Sequence, residues 1–430
     1  MPSISVRKVF FALVYLALIP RCIRWYLRHT KRQRPILDQV MEQRKIADFS
    51  FVGATTLDQR LKLRAKPNIR LTLAFDLNNS FTTSDQHVHQ EFLKKAKRAI
   101  GLTHRDSWIK LGAVTQVILN MSLKHFEEAP PYVPLASFVR VVSFSLVLHV
   151  LFGIKPSAIN LGEVGKATEA INRLWIQSKD PDSIPSLRDQ RLLDNALEIL
   201  LNESPCKDGT PPLNLIMPAY ETLWRVVLLT FVSIANQNVD PRTTEELRKA
   251  VKHVPRCFGQ RNDAEMQALA IAKEGLRLYP PTKRIYRATS TTDGENSFIA
   301  ADVEKYHRDC QIWGPDALQF KPTRFHNWRR ESGTKVSSRT ASSNLNEERL
   351  KSASYFPFGV GGHICPAAGG FGDKIITLLV VELTRRFGTR QTGLEIHFGS
   401  VEVQQQVSTP LPSGRSDMEN WVLEVKGVNW

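Results

Sequence analysis

The segment from Phe356 to Phe371 constrains this chain more than any other, because it sets a single cysteine, Cys365, at the end of a glycine-rich loop. Glycines such as Gly361 have no Cβ, so the backbone can turn tightly and approach a flat ligand closely. Pro366 suits the first position of a helix. At a helix N-terminus, unpaired N–H groups and the helix dipole favour a thiolate over a thiol. The loop therefore predicts a thiolate suited to a soft ligand role on iron.

Composition narrows the class of protein and its partners. With 430 residues, 42% hydrophobic and 23% charged, the chain can bury an ample core and form one large helix-rich domain. A formal charge of +16 favours anionic lipid or an acidic protein as a partner. The chain shows no nucleic-acid-binding module. Its five cysteines form no CxxC pair, which indicates a reducing compartment with four structural thiols and one special thiol.

The N-terminus predicts a membrane anchor over residues 1–28. The apolar run from Val9 to Ile19 is shorter than the roughly 20 residues that span a bilayer. Extended to Leu27, with Arg21 and Arg24 reaching the interface, it is long enough. Basic residues concentrate after the segment, so the positive-inside rule puts the rest of the chain in the cytoplasm. The alternative, a cleaved signal peptide, lacks a small-x-small cleavage site.

Hydrophobic periodicity predicts helices through most of the chain, with short strands at the C-terminal end. The predicted helices are Ser84–Ile100, Val139–Ile154 (a buried helix), Leu161–Ser178, Ser186–Asn202, Leu213–Ile234 and Asp263–Leu278. Trp328–Ser354 is rich in Ser, Arg and Asn and predicts an exposed loop, and Gly393–Trp430 predicts short strands with a turn.

The predicted helix Leu213–Ile234 is apolar but contains Pro218, Glu221 and Thr222. A proline inside a helix leaves the carbonyl four residues back without its N–H partner. An acid and a hydroxyl one turn later could order water and relay protons. The alternative is that these polar residues merely face a loop, and the residues alone do not decide between the two.

Taken together, Phe358-x-x-Gly361-x-His363-x-Cys365 resembles the haem-binding signature of cytochrome P450 enzymes, the haem-thiolate monooxygenases. The resemblance implies that Phe358 packs near the sulfur and that Cys365 is the axial ligand of the haem iron. It also implies that His363 meets a haem propionate. Ala367 stands where the family usually has glycine.

Three more motifs resemble the family in its own order. Pro218-Ala-Tyr-Glu221-Thr222 is similar to the distal helix motif, whose acid and threonine help to deliver protons to oxygen. Glu274-x-x-Arg277 before Leu-Tyr-Pro-Pro is similar to the ion-pair helix, which implies a structural set completed by Arg324 of Pro322-x-Arg324-Phe325. A surface ion pair of little value is the alternative for Glu274 and Arg277.

The propionate-binding residues are less well defined. The segment Arg284-Ile-Tyr-Arg287 resembles a strand whose arginine binds a propionate, and Arg287 is slightly preferred over Arg284. The family's Trp-x-x-x-Arg pair is missing, since Gly112 follows Trp108 by four residues. The possible substitutes, most of which are better explained as a solvated basic helix face, are His87, His89, Lys94 and Lys97.

The resemblance implies a mainly α fold with a small β portion, the cytochrome P450 fold, over residues 29–430, shortened before the distal helix. It implies haem b as cofactor, electrons from NADPH through a cytochrome P450 reductase, and monooxygenation of an apolar small molecule. The wording around Glu221 resembles fungal microsomal members in secondary metabolism, at the endoplasmic reticulum membrane with a single span. The alternatives are a catalytically impaired, truncated haem-binding membrane protein, and a haem-thiolate isomerase or dehydratase that needs no reductase.

Overall fold

Helices make up most of the described residues, as the sequence predicts. The computed structural model describes residues 35–101, 104–126, 132–202, 210–236, 241–290, 297–326, 342–399 and 410–424. The helices are α1 Ile36–Ala47, α2 Leu57–Ala65, α3 Ile69–Phe75, α4 Gln86–Ala99, α5 Arg105–Phe126, α6 Leu135–Phe152, α7 Leu161–Gln177, α8 Leu187–Leu201, α9 Leu213–Asn236, α10 Pro241–His253, α11 Asp263–Leu278, α12 Val303–His307, α13 Cys310–Trp313, α14 Ser342–Ser354 and α15 Phe371–Phe387. The strands are β1 Tyr132–Pro134, β2 Arg284–Ala288, β3 Phe298–Asp302, β4 Glu395–His397 and β5 Val422–Glu424.

Side-chain caps fix the beginnings of several helices where the sequence signals predict them. Asp85 accepts hydrogen bonds from the second and third backbone N–H groups of α4, and Ser186 and Asn262 each accept one at the start of α8 and α11. Such caps satisfy N–H groups that have no partner within the helix. The end of α11 at Leu278 comes just before two prolines, which disfavour helix in the residue preceding them.

Four helices form the centre of the molecule. The long helix α9 packs against α6, α11 and α15, and nearly all side chains of α6 and α15 on this side are buried. Both α6 and α9 are long and apolar enough to cross a membrane, yet 78% and 72% of their most apolar windows are buried inside the protein. The prediction of a buried helix over Val139–Ile154 is therefore confirmed.

The β portion consists of two small antiparallel sheets. One has the strand order β1-β5-β4, with Leu423 of β5 opposite Val133 and Ile396. The other pairs β2 with β3, so that Arg284 lies opposite Asp302 and Arg287 opposite Ile299. Strand β2 contacts α1 and α2, which brings the N-terminal part of the described chain beside the segment that contains Cys365.

Two predictions change in detail, and a third falls on residues that the structure does not describe. The segment 328–354, predicted as a loop, contains α14 over Ser342–Ser354. The helix after Cys365 does not start at Pro366, because the four residues Pro366–Gly369 form a 3₁₀ turn and α15 begins only at Phe371. The predicted anchor at residues 1–28 lies outside the described residues, as do parts of the C-terminal tail.

Candidate functional site

The loop around Cys365 is held by its own backbone. The N–H of Cys365 donates to the carbonyl oxygen of Phe358 at 2.9 Å, and the carbonyl of Cys365 accepts from the N–H of Ala368 at 3.0 Å. The Phe358 ring packs so closely on Gly372 that a Cβ there would lie 2.6 Å from ring carbons. A larger residue at Gly372 would displace the ring or α15, so this glycine sets how near the loop lies to the helix.

Gly361 is required for two separate reasons. Its φ of +67° lies in the left-handed region that L side chains rarely adopt, and a Cβ would lie 3.0 Å from the Cβ of Asp48. Gly359 also has a positive φ of 76°. The two residues turn the chain so that His363 and Cys365 approach helices α2 and α4 rather than solvent.

The protonation of Cys365 differs from the expectation for a helix N-terminus. Burial raises the pKa of the Cys365 thiol, and the backbone N–H of Ala367 and the guanidinium of Arg64 oppose this rise without overcoming it. Because the turn that follows has only four residues, its dipole is weak. In the protein without a ligand, burial therefore outweighs the effect that the sequence predicts for a helix N-terminus.

A buried group of basic side chains lies beside Cys365; we call Arg64, His89, Arg287 and His363 the haem-side cluster. Arg64 is 8% exposed, and its Nη1 lies 3.3 Å from Nδ1 of His363 and 3.1 Å from Oγ of Ser80. That hydroxyl lies 2.7 Å from Nδ1 of His89. Helix α2, the loop before α4, and α4 itself thus converge on the cysteine loop.

His363 is neutral and offers an unused proton. Burial, followed by the charge of Arg64, lowers the pKa of His363 to about 3. Because an arginine can only donate, Nδ1 of His363 must accept, so the proton sits on Nε2. That Nε2 is buried and has no hydrogen-bond partner among the described residues. His363 can therefore donate to an anion placed there, but as a neutral imidazole rather than as a cation.

Only one arginine of β2 joins this cluster. Arg287 is 7% exposed, donates to the carbonyl oxygen of Ala47 at 2.9 Å, lies 4.3 Å from the centroid of the Phe49 ring, and has a buried Nε without a partner. Burial and the nearby Arg64 lower the pKa of Arg287 to about 9. Arg284 points to the opposite face, because side chains alternate along a strand, and it pairs with Asp302 at an exposed position. The structure therefore places Arg287, and not Arg284, beside the cysteine loop. The prediction that Arg284 binds a propionate is corrected in favour of Arg287.

The haem-side cluster fits the propionates of a haem. Two guanidinium groups and two buried donors without partners, Nε of Arg287 and Nε2 of His363, demand an anion, since buried charges without compensation are costly. The sequence did not reveal Arg64, and no motif marks it. Of the substitutes weighed for the missing Trp-x-x-x-Arg pair, the structure brings His89 into the cluster and leaves His87, Lys94 and Lys97 exposed.

The distal helix α9 continues through Pro218. The carbonyl of Asn214, which Pro218 leaves without an N–H partner, accepts instead from the side-chain amide of Asn79 at 3.0 Å. The Oδ1 of Asn214 accepts from the N–H of Asn78 at 2.8 Å. Thr222 is exposed, and its Oγ1 donates to the carbonyl of Pro218 at 2.8 Å. The loop that carries Ser80 is thereby fastened to the start of the distal helix.

Glu221 is buried in an ion pair. Its carboxylate, 5% exposed, is bonded by Nη2 of Arg415 and lies 3.4 Å from Nη1. Arg415 also donates to Oδ1 of Asn172 at 3.0 Å. Arg415 belongs to the C-terminal segment, where no sequence pattern marked it. Through this ion pair Glu221 faces a turn of the C-terminal segment, which agrees with the alternative that the polar residues face a loop, whereas Thr222 is exposed.

The structure brings together the three residues predicted as an ion-pair set. Arg277 and Glu274, both fully buried, approach at 2.7 Å, and Arg324 lies 3.4 Å from Glu274. Arg277 also donates to the carbonyls of His307 and Ala317 at 2.8 and 2.7 Å. His307 in turn accepts from the N–H of Phe356 at 3.2 Å, where the cysteine loop begins. The set thus connects α11 to the loop through one histidine.

Comparison with known proteins gives sequence matches in the C-terminal half. Residues 213–389 match the family model described as cytochrome P450. Cytochrome P450 CYP749A22 of Panax ginseng is 34% identical over 135 residues, which are 28% of this chain and 23% of that protein. Cytochrome P450 72A397 of Kalopanax septemlobus is 28% identical over 150 residues, 33% of this chain and 25% of that protein. The matched segments thus span about a quarter of these curated relatives.

Solved structures show that the likeness in fold extends further. A cytochrome P450 from Thermus thermophilus superposes with a TM-score of 0.53 at 18% identity, covering 93% of this chain and 95% of that chain. A retinoic acid-bound cyanobacterial cytochrome P450 superposes with a TM-score of 0.52 at 17% identity, covering 83% and 82%. Residues 213–389 are therefore similar in sequence to the cytochrome P450 family, and the chain has the cytochrome P450 fold.

Proposed function

We propose that this protein is a haem-thiolate monooxygenase that inserts one oxygen atom of O₂ into an apolar small molecule. The observation that carries the proposal is the buried haem-side cluster beside Cys365, with two donors that have no partner among the described residues. Two guanidinium groups and a neutral imidazole are a fitting donor set for carboxylates, since arginine binds them through two parallel hydrogen bonds.

In this proposal Cys365 holds the iron of haem b, and Arg64, Arg287 and His363 hold its propionates. The haem, when bound, supplies the activation of O₂, which no amino-acid side chain provides. Phe358 and Gly361 keep the loop in the shape that points Cys365 inward, through the 2.9 Å bond from Cys365 to the Phe358 carbonyl. Because burial raises the pKa of the Cys365 thiol, iron binding and proton release occur together.

Thr222 and Glu221 are proposed to take part in proton transfer on the distal side of the haem. The hydroxyl proton of Thr222 is used in the bond to Pro218, so its oxygen lone pairs remain free to accept a hydrogen bond from a water molecule. Glu221 is tied to Arg415, and it can take up or pass on a proton only when this ion pair loosens. The ion pair between Glu221 and Arg415 therefore limits proton transfer by the Glu221 carboxylate.

The setting of the enzyme is also a proposal. We infer a reductase that draws electrons from NADPH, for which the formal charge of +16 favours an acidic docking partner. We further infer single-pass anchoring in the endoplasmic reticulum membrane through residues 1–28, with the catalytic part in the cytoplasm. The segment Pro218-Ala-Tyr-Glu221-Thr222 and the residues after it support a fungal protein of secondary metabolism.

The test is the carbon monoxide difference spectrum of the reduced, full-length protein in membranes, beside Cys365→Ala. We expect a strongly red-shifted Soret band in the native protein and its loss in the variant, because the shift requires a thiolate ligand. Cys310→Ala, which removes an exposed free cysteine, is the matched control and should keep the band.

A native protein without haem, or with the band of a histidine-ligated site, would contradict the proposal and favour an impaired haem-binding protein. A red-shifted band that persists in Cys365→Ala would contradict the assignment of the ligand.

A further inference from the structure

A second group of cations lies beside α9; we call Arg70, Lys179, Arg225 and Arg415 the distal cationic cluster. The guanidinium carbons of Arg70 and Arg415 each lie 4.9 Å from the ring centroid of Trp175, so two like charges share one indole. Arg415 is only 4% exposed. Nothing in the proposed handling of haem or of protons requires four cations at this position.

The cluster is short of negative charge. Among the residues that the structure describes, Glu221 is the carboxylate that bonds a member of the cluster, through Arg415. Arg70 donates to the neutral hydroxyl of Ser178 at 2.6 Å. Glu304, which also acts electrostatically on Arg225, is bonded to Lys283 and Arg308. Four positive charges against one directly bonded negative charge leave a formal excess of three.

Two donor atoms of the cluster have no hydrogen-bond partner. The Nε atoms of Arg225 and Arg415 are both buried and unpaired in the described structure. Burial, followed by the charge of Arg415, lowers the pKa of Arg225 to about 10, and the same two causes lower the pKa of Lys179. Mutual repulsion and unused donors are what an anion bound between these side chains would relieve.

The position of the cluster relates it to the reaction. Arg225 follows Thr222 by three residues and lies on the same side of α9, about 4.5 Å along the helix axis. Arg70 follows Arg64 of the haem-side cluster by six residues, through the short helical turn Lys66–Asn68. The indole rings of Trp175 and Trp224 lie against Arg415 and give the site an apolar wall.

We infer that the substrate is an organic acid, whose carboxylate is bound by Arg225 and Arg70 of the distal cationic cluster and whose apolar part extends towards Thr222. The inference rests on the proposed monooxygenase function and narrows its substrate class from apolar molecules in general to amphiphilic carboxylates. The charged end would fix the distance between the carboxylate and the carbon that is oxidised.

The test compares two probes of equal chain length, octanoate and octan-1-ol, on the full-length, haem-loaded protein in lipid nanodiscs. Dissociation constants are measured by equilibrium dialysis against empty nanodiscs. We expect octanoate to bind about tenfold more tightly than the alcohol, because charge-assisted hydrogen bonds form only with the acid. Arg225→Gln should reduce this preference to less than about threefold, whereas Arg248→Gln, an exposed arginine paired with Glu245, should leave it unchanged.

Arg70→Gln provides a second variant in case Arg225→Gln does not fold, as judged by circular dichroism. Equal affinity for the two probes in the native protein, or an undiminished preference in both folded variants, would overturn the inference. The carbon monoxide spectrum of the same preparations separates the two proposals. A red-shifted band without a preference for octanoate would reject only the inference that the substrate is an organic acid. A preference for octanoate in a protein without haem would reject the proposed monooxygenase function.

Discussion

At the scale of single residues, Arg64 has the largest consequence for the site. It is almost fully buried, its side chain bonds the neutral Ser80 and His363 among the described residues, and in the proposed function it takes the place of the missing Trp-x-x-x-Arg pair. Such a charge is a cost to the empty protein and a benefit to the haem-bound one. The two effects have opposite signs, which makes them separable by experiment.

We expect Arg64→Met to weaken haem binding by about tenfold or more, since a charge-assisted hydrogen bond to a carboxylate contributes about 1.5–3 kcal/mol. The same variant should leave the free energy of unfolding of the haem-free protein unchanged or raise it by about 1–4 kcal/mol, because a buried charge is replaced by an apolar chain. Haem titration by absorbance and urea unfolding measure the two quantities.

Lys62→Gln is the control for this variant, since Lys62 lies on the same helix, 47% exposed and paired with Asp58. If Arg64→Met destabilised the haem-free protein strongly and left haem affinity intact, Arg64 would be a structural residue and not a propionate ligand.

At the scale of the elements, a side chain from a loop replaces a backbone hydrogen bond that is missing in α9. Pro218 removes one backbone hydrogen bond, and Asn79 from the loop before α4 supplies the missing donor to Asn214. The same side chain caps its own turn, because its Oδ1 accepts from the N–H of Phe81 at 2.9 Å. One asparagine therefore couples the distal helix to the loop that carries Ser80.

We expect Asn79→Asp to lower the free energy of unfolding by about 1–3 kcal/mol, because the Asn214 carbonyl loses its donor in a buried position. The replacement keeps an oxygen that can accept from Phe81 and removes the amide donor, and burial of the new carboxyl group adds to the loss. Urea unfolding of the haem-free protein is the measurement. Asn262→Asp, at an exposed helix cap where only the acceptor oxygen is used for capping, should change stability little. Equal effects of the two changes would contradict this account.

At the scale of the whole molecule, two histidines whose pKa is lowered by burial connect stability to pH. Burial, followed by the charge of Arg277, lowers the pKa of His307 to about 3, and that of His363 is about 3 as well. Both values lie below the ordinary value of about 6.5 in an unfolded chain. Between these limits the unfolded chain binds more protons than the folded one, so stability is present above about pH 6.5 and falls as pH falls.

We expect the free energy of unfolding to decrease between about pH 6.5 and pH 5 by up to about 1.4 kcal/mol per pH unit for His307, which is fully buried. His307→Gln keeps an acceptor for the N–H of Phe356 and removes the titrating group, so this slope should become shallower by about that amount. His87→Gln, at an exposed position on α4, should keep the native slope. The slope of the free energy of unfolding against pH is measured by urea unfolding at three pH values. An unchanged slope in His307→Gln would refute this prediction.

Much of the fold follows from local sequence signals. The helices α4, α7, α8, α9 and α11 begin and end within about two residues of their predicted limits, because caps, prolines and apolar periodicity act over a few neighbouring residues. The cysteine loop is also a local feature, since glycines at positive φ and a proline after the cysteine determine its turns.

The remainder of the site depends on residues distant in sequence. Arg64 meets His363 across 299 positions, and Arg415 meets Glu221 across 194. The face on which each arginine of β2 lies followed from the pairing of that strand and from its contact with α1. The sequence by itself indicated Cys365 as the proposed iron ligand and determined most of the helices, because those signals are local. Only the tertiary structure decided which cations surround the cysteine and the distal acid, because electrostatic partners are chosen by distance in space.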